Sequence, residues 1–368
     1  MKQKLAAFLR EEPVLIISGV LAIFSMLAVP PNAAYIDYID FRTLGILFCL
    51  MAAVAGLTEA GLFDRVARLL AKRSGTLKRL SLLLVLLCFC TSMLITNDVA
   101  LITFVPLTLL MLGGAEERCR IFTVVMETIA ANLGSMLTPV GNPQNLYLYS
   151  HYEVGVGEFF AVTAPVWIAG LILTAGAVLV MRLPGEVHAS TESSATFSGK
   201  KAAIYGGMFL LCLLAVFRVL HWGIVLAVII LFLLLFNRRI FKKVDYSLLL
   251  TFCFFFLLVG NLGKIPAVEK WISSLLQGHE LWVSAAVSQV ISNVPAALML
   301  SGFTENWKGL LLGTNIGGLG TLIASMASLI SFRLYTRGEG AKTGKYLLVF
   351  TGYNVLFLAV LAVFSLIL

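Results

Sequence analysis

Charge is what this chain has least of. Only 12% of its 368 residues are Asp, Glu, Lys or Arg, 60% are hydrophobic, and the mean hydropathy is +0.96. A soluble domain of this length does not carry that balance, so the chain reads as one whose solvent is lipid. Alternation of apolar and polar residues with period two is also absent, which argues against a transmembrane barrel. Histidine is scarce. His151, His188, His221 and His279 all fall in expected loops or span ends and read as interfacial residues. The six cysteines form no disulfide framework, and Cys88-x-Cys90 has no partner pair to hold zinc, so no transition-metal site is expected. Five of them lie inside apolar spans, and Cys119 is expected in an intracellular loop. With no nucleophile–base pair or metal cluster at membrane depth, an intramembrane enzyme is disfavoured and no cofactor is expected. The net charge of +8 does not point to nucleic acid, because the basic residues sit between apolar spans. No small-residue cleavage site follows the apolar stretch 13–29, so no cleavable signal is expected there.

What is present is a pair of short polar stretches inside apolar runs. Thr96-Asn97-Asp98 interrupts the run 81–112, and Ser292-Asn293-Val294-Pro295 interrupts the run 281–303. Each is followed by a second polar, glycine-bearing run, 132–145 and 315–328. Laid over each other without a gap, these share Asn132/Asn315, Gly134/Gly317 and Thr138/Thr321, and pair Gly141 with Ala324 and Asn142 with Ser325. Amides and hydroxyls at membrane depth are costly unless they line protein or a water-filled cavity. Two copies of such a constellation are what a secondary transporter site looks like in sequence.

In chain order, residues 1–12 read as a short cytoplasmic start. Full spans are expected at 13–29, 41–60, 121–149, 159–181, 202–220, 222–236, 246–263, 307–331 and 346–368. Apolar segments of about 17–25 residues suit a core about 30 Å thick. The third span is broken at Thr138-Pro139-Val140-Gly141-Asn142-Pro143, because each proline removes a donor and pushes its predecessor away from helix. The eighth is loosened at Gly317, Gly318 and Gly320. Leu62, Val66, Leu69 and Leu70 face away from Arg65 and Arg68 at helical spacing, which predicts an amphipathic helix lying in the interface over 61–70. A second is predicted over 265–276. Split at Asn97, each half of 81–112 has about 16 residues, or roughly 24 Å of helix. That is short of a crossing, so a re-entrant hairpin with its tip at Asn97 is expected, and a second with its tip at Asn293.

Charge tests this layout. All but five of the 27 Lys and Arg residues fall in segments assigned to the inside; Arg42, Arg218, Lys264, Lys270 and Lys308 are the exceptions. That asymmetry places the amino end in and the carboxyl end out. The polar stretch 182–201, with Ser190-Thr191-Glu192-Ser193-Ser194, is the one real linker. The expected organisation is a first repeat over 1–181, a linker and inverting span over 182–220, and a second, inverted repeat over 221–368. The fold class expected is thus an all-α, polytopic, inverted-repeat membrane protein whose two hairpin tips approach from opposite faces.

The chemistry expected at such tips follows from exposed backbone. N–H ends of broken helices suit an anion, and carbonyl ends suit Na⁺. Asn97 and Asn293 offer side-chain carbonyls to an ion; Thr96, Thr138, Ser292 and Thr321 offer hydroxyls to ion or cargo. Glycines 134, 141, 317 and 318 permit close backbone approach, though small residues that merely pack helices would look the same one at a time. Asp98 reads either as a proton carrier, as the counter-charge to a cation, or as a hydrogen-bonded structural acid. Glu127 reads as ordering the broken span. No Lys or Arg falls at either tip.

Thr96-Asn97-Asp98-Val99-Ala100, the run 132–145 and Ser292-Asn293-Val294-Pro295 together resemble the ion transporter superfamily, which includes divalent anion/sodium symporters, citrate transporters, arsenite permeases and a group of sodium/proton antiporters. The similarity runs from about residue 40 to the end. It implies an elevator transporter that works as a homodimer in a prokaryotic cytoplasmic (inner) membrane. Spans 3, 4, 8 and 9 and the hairpins would move against a scaffold of spans 1, 2, 5, 6 and 7. It implies Na⁺ near Asn97 with Asn132, Gly134, Pro139 and Gly141, and near Asn293 with Asn315, Gly317 and Ala324. Cargo would lie against Thr96, Asn97, Asp98, Thr138, Asn142, Ser292, Asn293, Thr321 and Ser325. Dicarboxylate symporters of the superfamily read Ser-Asn-Thr at both tips; here Asp98 and Val294 stand instead, nearer the arsenite permease and antiporter branch. The expectation is a secondary transporter of a small inorganic or organic anion, driven by Na⁺ or H⁺. The alternatives are a sodium/proton antiporter using Asp98, an arsenite-type efflux permease or a passive channel.

Overall fold

The computed structural model describes residues 12–71, 74–184, 197–338 and 340–367. The cytoplasmic start (residues 1–11), Lys72, Arg73, His188 and the Ser190–Ser194 part of the expected linker lie outside them. Among the described residues the chain is helical throughout, with no strand. The helices are α1 (Pro13–Ala28), α2 (Phe41–Glu59), α3 (Leu62–Ala71), α4 (Leu77–Ile95), α5 (Asn97–Met111), α6 (Glu117–Ser135), α7 (Pro143–His151), α8 (Val156–Val180), α9 (Gly199–Val216), α10 (Trp222–Phe236), α11 (Tyr246–Leu262), α12 (Pro266–Leu276), α13 (Glu280–Ile291), α14 (Asn293–Ser301), α15 (Trp307–Ile316), α16 (Met326–Thr336) and α17 (Thr343–Ser365).

Five of these, α2, α4, α8, α9 and α17, are long and apolar enough to cross a membrane alone. Large apolar side chains face outward over the whole body: Leu27 is 80% exposed, Phe236 73%, Val180 84% and Leu348 76%. Exposure on that scale suits hydrocarbon rather than water. α11 and α12 meet at 105°, so a helix that crossed as α11 would continue as α12 parallel to the surface. α3 packs against α2, α4 and α5, and its Arg65 guanidinium lies 4.3 Å from the Phe197 ring.

Both interrupted runs fold back on themselves. Only Thr96 separates α4 from α5, and only Ser292 separates α13 from α14. Leu77, Leu80 and Leu84 at the start of α4 pack on Leu112, just past the end of α5. Ser81 of α4 and Thr108 of α5 reach successive turns of one helix, α6: Ser81 Oγ is 2.8 Å from Thr123 Oγ1, and Thr108 Oγ1 donates to Glu127 Oε1 at 2.5 Å. In the second run, Glu280 at the start of α13 accepts from Thr304 Oγ1 (3.3 Å) and Asn306 Nδ2 (3.0 Å), just beyond α14.

The first arm departs from expectation. α4 begins at Leu77, not at residue 81, and its 19 residues are long enough to cross. The Thr76 hydroxyl accepts from Arg79 N and starts the helix before the apolar run does, and Lys78 reaches the Leu179 carbonyl at the end of α8. Of the two arms only α5, at 15 residues, is short of a crossing; α4, at 19, is not. Cys119 is likewise no loop residue; it is buried in α6, because that helix starts at Glu117.

α6 is the axis of the molecule. Every residue from Ile121 to Ser135 is buried, and α4, α5, α8, α16 and α17 pack around it. A second group gathers on α2 and α11: α9 and α10 pack on α2, and α1 packs on α11. Asn261 of α11 donates to Ser25 Oγ of α1 at 2.8 Å. The groups meet where α2 touches α7 and α11 touches α14. Both expected broken spans are broken: α6 and α7 are separated by residues 136–142, and α15 and α16 by residues 317–325.

Candidate functional site

Each hairpin tip is a single residue held in a backbone conformation that side chains avoid. Thr96 has φ 68° and ψ 150°, and Ser292 has φ 78° and ψ 154°. The following residue opens the return helix and turns its amide on itself: Asn97 Oδ1 accepts from Asp98 N, and Asn293 Oδ1 accepts from Val294 N, each at 3.0 Å. The two tips fall in the same backbone region, φ 68° against 78° and ψ 150° against 154°, although their sequences differ.

The surroundings of the tips match as well. Thr138 Oγ1 donates to the Met93 carbonyl, three residues before Thr96, and Thr321 Oγ1 donates to the Gln289 carbonyl at 2.9 Å, three residues before Ser292. A Cβ on Gly134 would lie 2.0 Å from the Phe89 carbonyl oxygen; one on Gly317 would lie 2.8 Å from Ala285 Cα. These glycines are required where a broken helix crosses the outgoing arm of its own hairpin. Across the halves the bonds are exchanged. Asn132 Oδ1 accepts from Ser325 Oγ at 2.9 Å, and Asn315 Oδ1 accepts from Asn142 Nδ2 at 3.1 Å. Asn132 corresponds to Asn315 and Asn142 to Ser325, so each half gives and receives an equivalent contact. Asn97 Nδ2 joins the cluster by donating to Asn132 Oδ1 at 3.0 Å. Asn145 closes it: its amide donates to the Ser135, Met136 and Thr138 carbonyls, and its oxygen accepts from Asn315 Nδ2 at 2.7 Å.

The tips share one cavity. A space of about 50 Å³ is lined by Asn97 and Asp98 of the first tip and by Ser292, Asn293, Val294 and Pro295 of the second. Pro143, Gln144, Ser325, Met326 and Asp245 complete much of the wall. A larger space of about 370 Å³ continues past Thr96 and Asp98 between the two helix groups, with Leu47, Leu50, Ile102 and Ile330 on its sides. Asp245, Lys243 and Asn142 also line it. Lys243 is paired, 2.9 Å from Glu59 Oε2.

Of the expected site residues, Asn97, Asp98, Ser292, Asn293 and Ser325 meet at the small cavity, while Thr96 and Asn142 face the larger one. Asn132 and Asn315 stand behind them, each 3% exposed or less, as the bridge between the halves. Thr138 and Thr321 are not brought to either cavity; their hydroxyls are spent on the hairpin arms. Gly134, Gly141 and Gly317 serve close packing: a Cβ on Gly141 would lie 2.0 Å from the Ser135 carbonyl oxygen. Gly318 lies under the second tip, where a Cβ would meet Asn293 Nδ2 at 2.8 Å. Pro139 and Ala324 sit in the breaks, and the Ala324 carbonyl accepts from Asn293 N at 2.9 Å. Glu127 holds Thr108 and lines neither cavity.

Sequence reasoning missed Gln144 and Asp245. Gln144 lies inside the polar run 132–145, but nothing in the sequence separates it from its neighbours. Asp245 reads as a helix cap, and it is one, accepting from Leu248 N at 2.9 Å; only the fold brings it opposite Asp98. Among the described residues no three His, Cys, Asp or Glu side chains cluster as a metal site would require.

Comparison with known proteins finds a match to the citrate transporter family model over residues 5–305. The chain is 33% identical to an uncharacterised transporter of Methanocaldococcus jannaschii over 331 residues, covering 89% of this chain and 90% of that one. It is 33% identical to the inner membrane protein YbiR of Escherichia coli over 306 residues, 80% of each. A silicon efflux transporter of Oryza sativa is 29% identical over 175 residues, 45% of this chain and 36% of that protein.

Proposed function

The chain belongs to the citrate transporter family, and from that premise we propose that it is a secondary active transporter of the cytoplasmic membrane. Its cargo is a small inorganic or organic oxyacid or its anion, bound where the two hairpin tips meet. One observation carries this reading: both tips line a single cavity, and the halves behind them exchange equivalent bonds. A site built twice, in mirrored sense, from a hairpin and a broken helix is suited to open alternately to either side. The inverted repeats, the re-entrant placement of the hairpins, the elevator movement of the α6 group against the α2 and α11 group, and a homodimer through the latter belong to this proposal. So do the nine full spans, with the amino end inside and the carboxyl end outside. The inner-membrane location of YbiR supports the compartment.

Coupling follows from the charges. Asp98, Asp245 and Glu12 all line the small cavity, and among the described residues no Lys or Arg does. Two like charges about 4 Å apart repel by about 4 kcal/mol at an effective dielectric of about 20. An anion therefore binds only together with a compensating cation, a proton on Asp98 or a Na⁺ beside Asn97 or Asn293. That requirement is itself a coupling mechanism: cargo and cation enter together or not at all. The same acids favour one second reading, a sodium/proton antiporter in which Asp98 exchanges the two cations without further cargo. The test is flux into proteoliposomes of the purified chain with imposed proton and Na⁺ gradients. The proposal expects uphill accumulation of an oxyacid that Asn97→Ala and Asn293→Ala each abolish. Na⁺/H⁺ exchange at full rate with no added oxyacid would establish the antiporter instead, and flux that never exceeds equilibrium would leave only a channel.

A further inference from the structure

Gln144 is the second residue of α7 and is 1% exposed. Neither its Nε2 nor its Oε1 has a hydrogen-bond partner, and its side chain lines the small cavity between the tips. Most of its neighbours differ in this respect, although Asn132 Nδ2 also lacks a partner. Both side-chain ends of Asn142, Asn145 and Asn315 are bonded, and both hydroxyls of the arm-locking Thr138 and Thr321 are spent. A buried amide left open at both ends is an unstable arrangement unless something else supplies its partners. Asp98, on the same cavity wall, likewise has a buried Oδ1 without a partner.

The open groups state what the missing partner must look like. Gln144 Oε1 and Asp98 Oδ1 call for donors, while the two N–H groups of Gln144 Nε2 call for acceptors. With Asp98, Asp245 and Glu12 on the wall and no basic side chain there among the described residues, the cavity disfavours a bare polyanion. By size, about 50 Å³ holds roughly three to five water-sized groups, taking about 10–15 Å³ for each. A single oxyacid centre that keeps its hydroxyls at neutral pH meets all of these conditions. Sulfate does not, since it carries no hydrogen, and fully ionised citrate does not, since its single alcohol hydroxyl comes with three carboxylates set against the acids of the wall.

We propose that Gln144 is the cargo-reading residue of the tip cavity and that it selects a small oxyacid still bearing at least one hydroxyl. This deepens the transporter reading above and rests on it. Selection works by leaving groups unpaired: a sulfate in the cavity would set two acceptors against oxygens that carry no hydrogen.

The experiment measures thermal stabilisation and Kd of the purified full chain with orthosilicic acid, boric acid and inorganic phosphate in slightly acidic buffer, against sulfate and citrate. At least one hydroxyl-bearing probe is expected to bind, and sulfate and citrate are expected not to. Gln144→Met, close in length and apolar, is expected to be at least as stable as wild type without ligand, because it removes two unpaired groups, yet to weaken the bound probe by about tenfold or more. A merely structural glutamine would show the reverse pattern, lost stability with unchanged Kd, and that result overturns the proposal. So does failure of every hydroxyl-bearing probe to bind, or tighter binding of sulfate or citrate. Asn293→Ala separates the two levels. If sulfate or citrate binding is lost in Asn293→Ala and untouched in Gln144→Met, the tip site stands and the hydroxyl requirement falls. If a hydroxyl-bearing probe binds Asn293→Ala as well as wild type, the tip site itself falls.

Discussion

Thr96 and Ser292 hold φ of 68° and 78° with ψ near 150°, a region populated essentially by glycine, where a Cβ costs of order 1–3 kcal/mol. Neither side chain recovers that cost. Thr96 makes no capping bond, and Ser292 Oγ has only long contacts, 3.4 Å to the Ala324 carbonyl and 3.5 Å to Asn293 Oδ1. Replacing Thr96 by glycine removes the clash, while glycine's freedom in the unfolded chain returns about 0.5–1 kcal/mol. Thr96→Gly should therefore be more stable than Thr96→Ala, which keeps the Cβ, by about 0.5–2 kcal/mol. Ser292→Gly against Ser292→Ala should give the same sign and size. Reversible unfolding in mixed micelles measures both differences. Flux should move the other way, because the strained residue fixes where Asn97 and Asn293 begin their helices, and a relaxed tip holds them less well. If glycine proves less stable than alanine at both positions, the tips are not strained and the reasoning fails.

Four further outcomes follow. Asp98→Asn should bind oxyacid but lose the dependence of flux on pH that wild type shows; a variant that keeps wild-type pH dependence would remove Asp98 from coupling. Gly134→Ala should yield little folded protein, because its Cβ would lie 2.0 Å from a backbone oxygen, whereas exposed Gly207→Ala in α9, with nothing within 4 Å, should be neutral or stabilising by up to about 1 kcal/mol; equal yields of folded protein, seen by size-exclusion chromatography, would contradict this. Ser325→Ala should cost only about 0.5–1.5 kcal/mol, since Asn132 Oδ1 keeps Asn97 as donor, while Asn315→Ala should cost at least about 1–3 kcal/mol more by stranding Asn145 Oδ1, and unfolding titrations rank the two. Lys243→Ala should change stability by under about 1 kcal/mol, in a salt-dependent way, because that ion pair is half-exposed; a larger loss would mean that Lys243 also acts inside the 370 Å³ cavity.

The helices and breaks were legible in the sequence because lipid and glycine leave coarse marks. Trp222–Phe236 reads off its apolar run to the residue, and the breaks after Ser135 and Ile316 announce themselves through Pro139, Pro143, Gly317 and Gly318. The arm that begins at Leu77 was not legible. Its start depends on a hydroxyl cap at Thr76, and a basic stretch hides it from any hydropathy argument. The tips were legible as positions but not as roles. Thr138 and Thr321 repeat faithfully, and repetition in a transporter suggests cargo; yet they repeat because both hairpins need the same lock. A residue demanded by a duplicated scaffold and one demanded by a duplicated site look alike until hydrogen-bond partners are known.

What departs from the repeat is accordingly the better guide to chemistry. Asp98 faces Val294 in the equivalent place of the other tip, and Gln144 corresponds to Ala327, which follows the second break. The buried polar atoms without a partner on the described cavity wall, Asp98 Oδ1 and the Gln144 amide, thus come from the first half, while the second half offers Asp245, Ser247, Thr251, Ser292, Asn293 and Ser325 beside apolar walls. The two halves share the geometry of hairpin and break, and divide the labour of lining the cavity. Substitutions at Val294 or Ala327 act on room, those at Asp98 and Gln144 on what is accepted. Placing a carboxyl at Val294 would give both tips an acid and, with no Lys or Arg on the small cavity's wall among the described residues, add about another 4 kcal/mol of repulsion against an anionic cargo at about 4 Å. Under the proposed co-entry of an oxyacid with a proton or Na⁺, an acid at one tip leaves less repulsion than an acid at each.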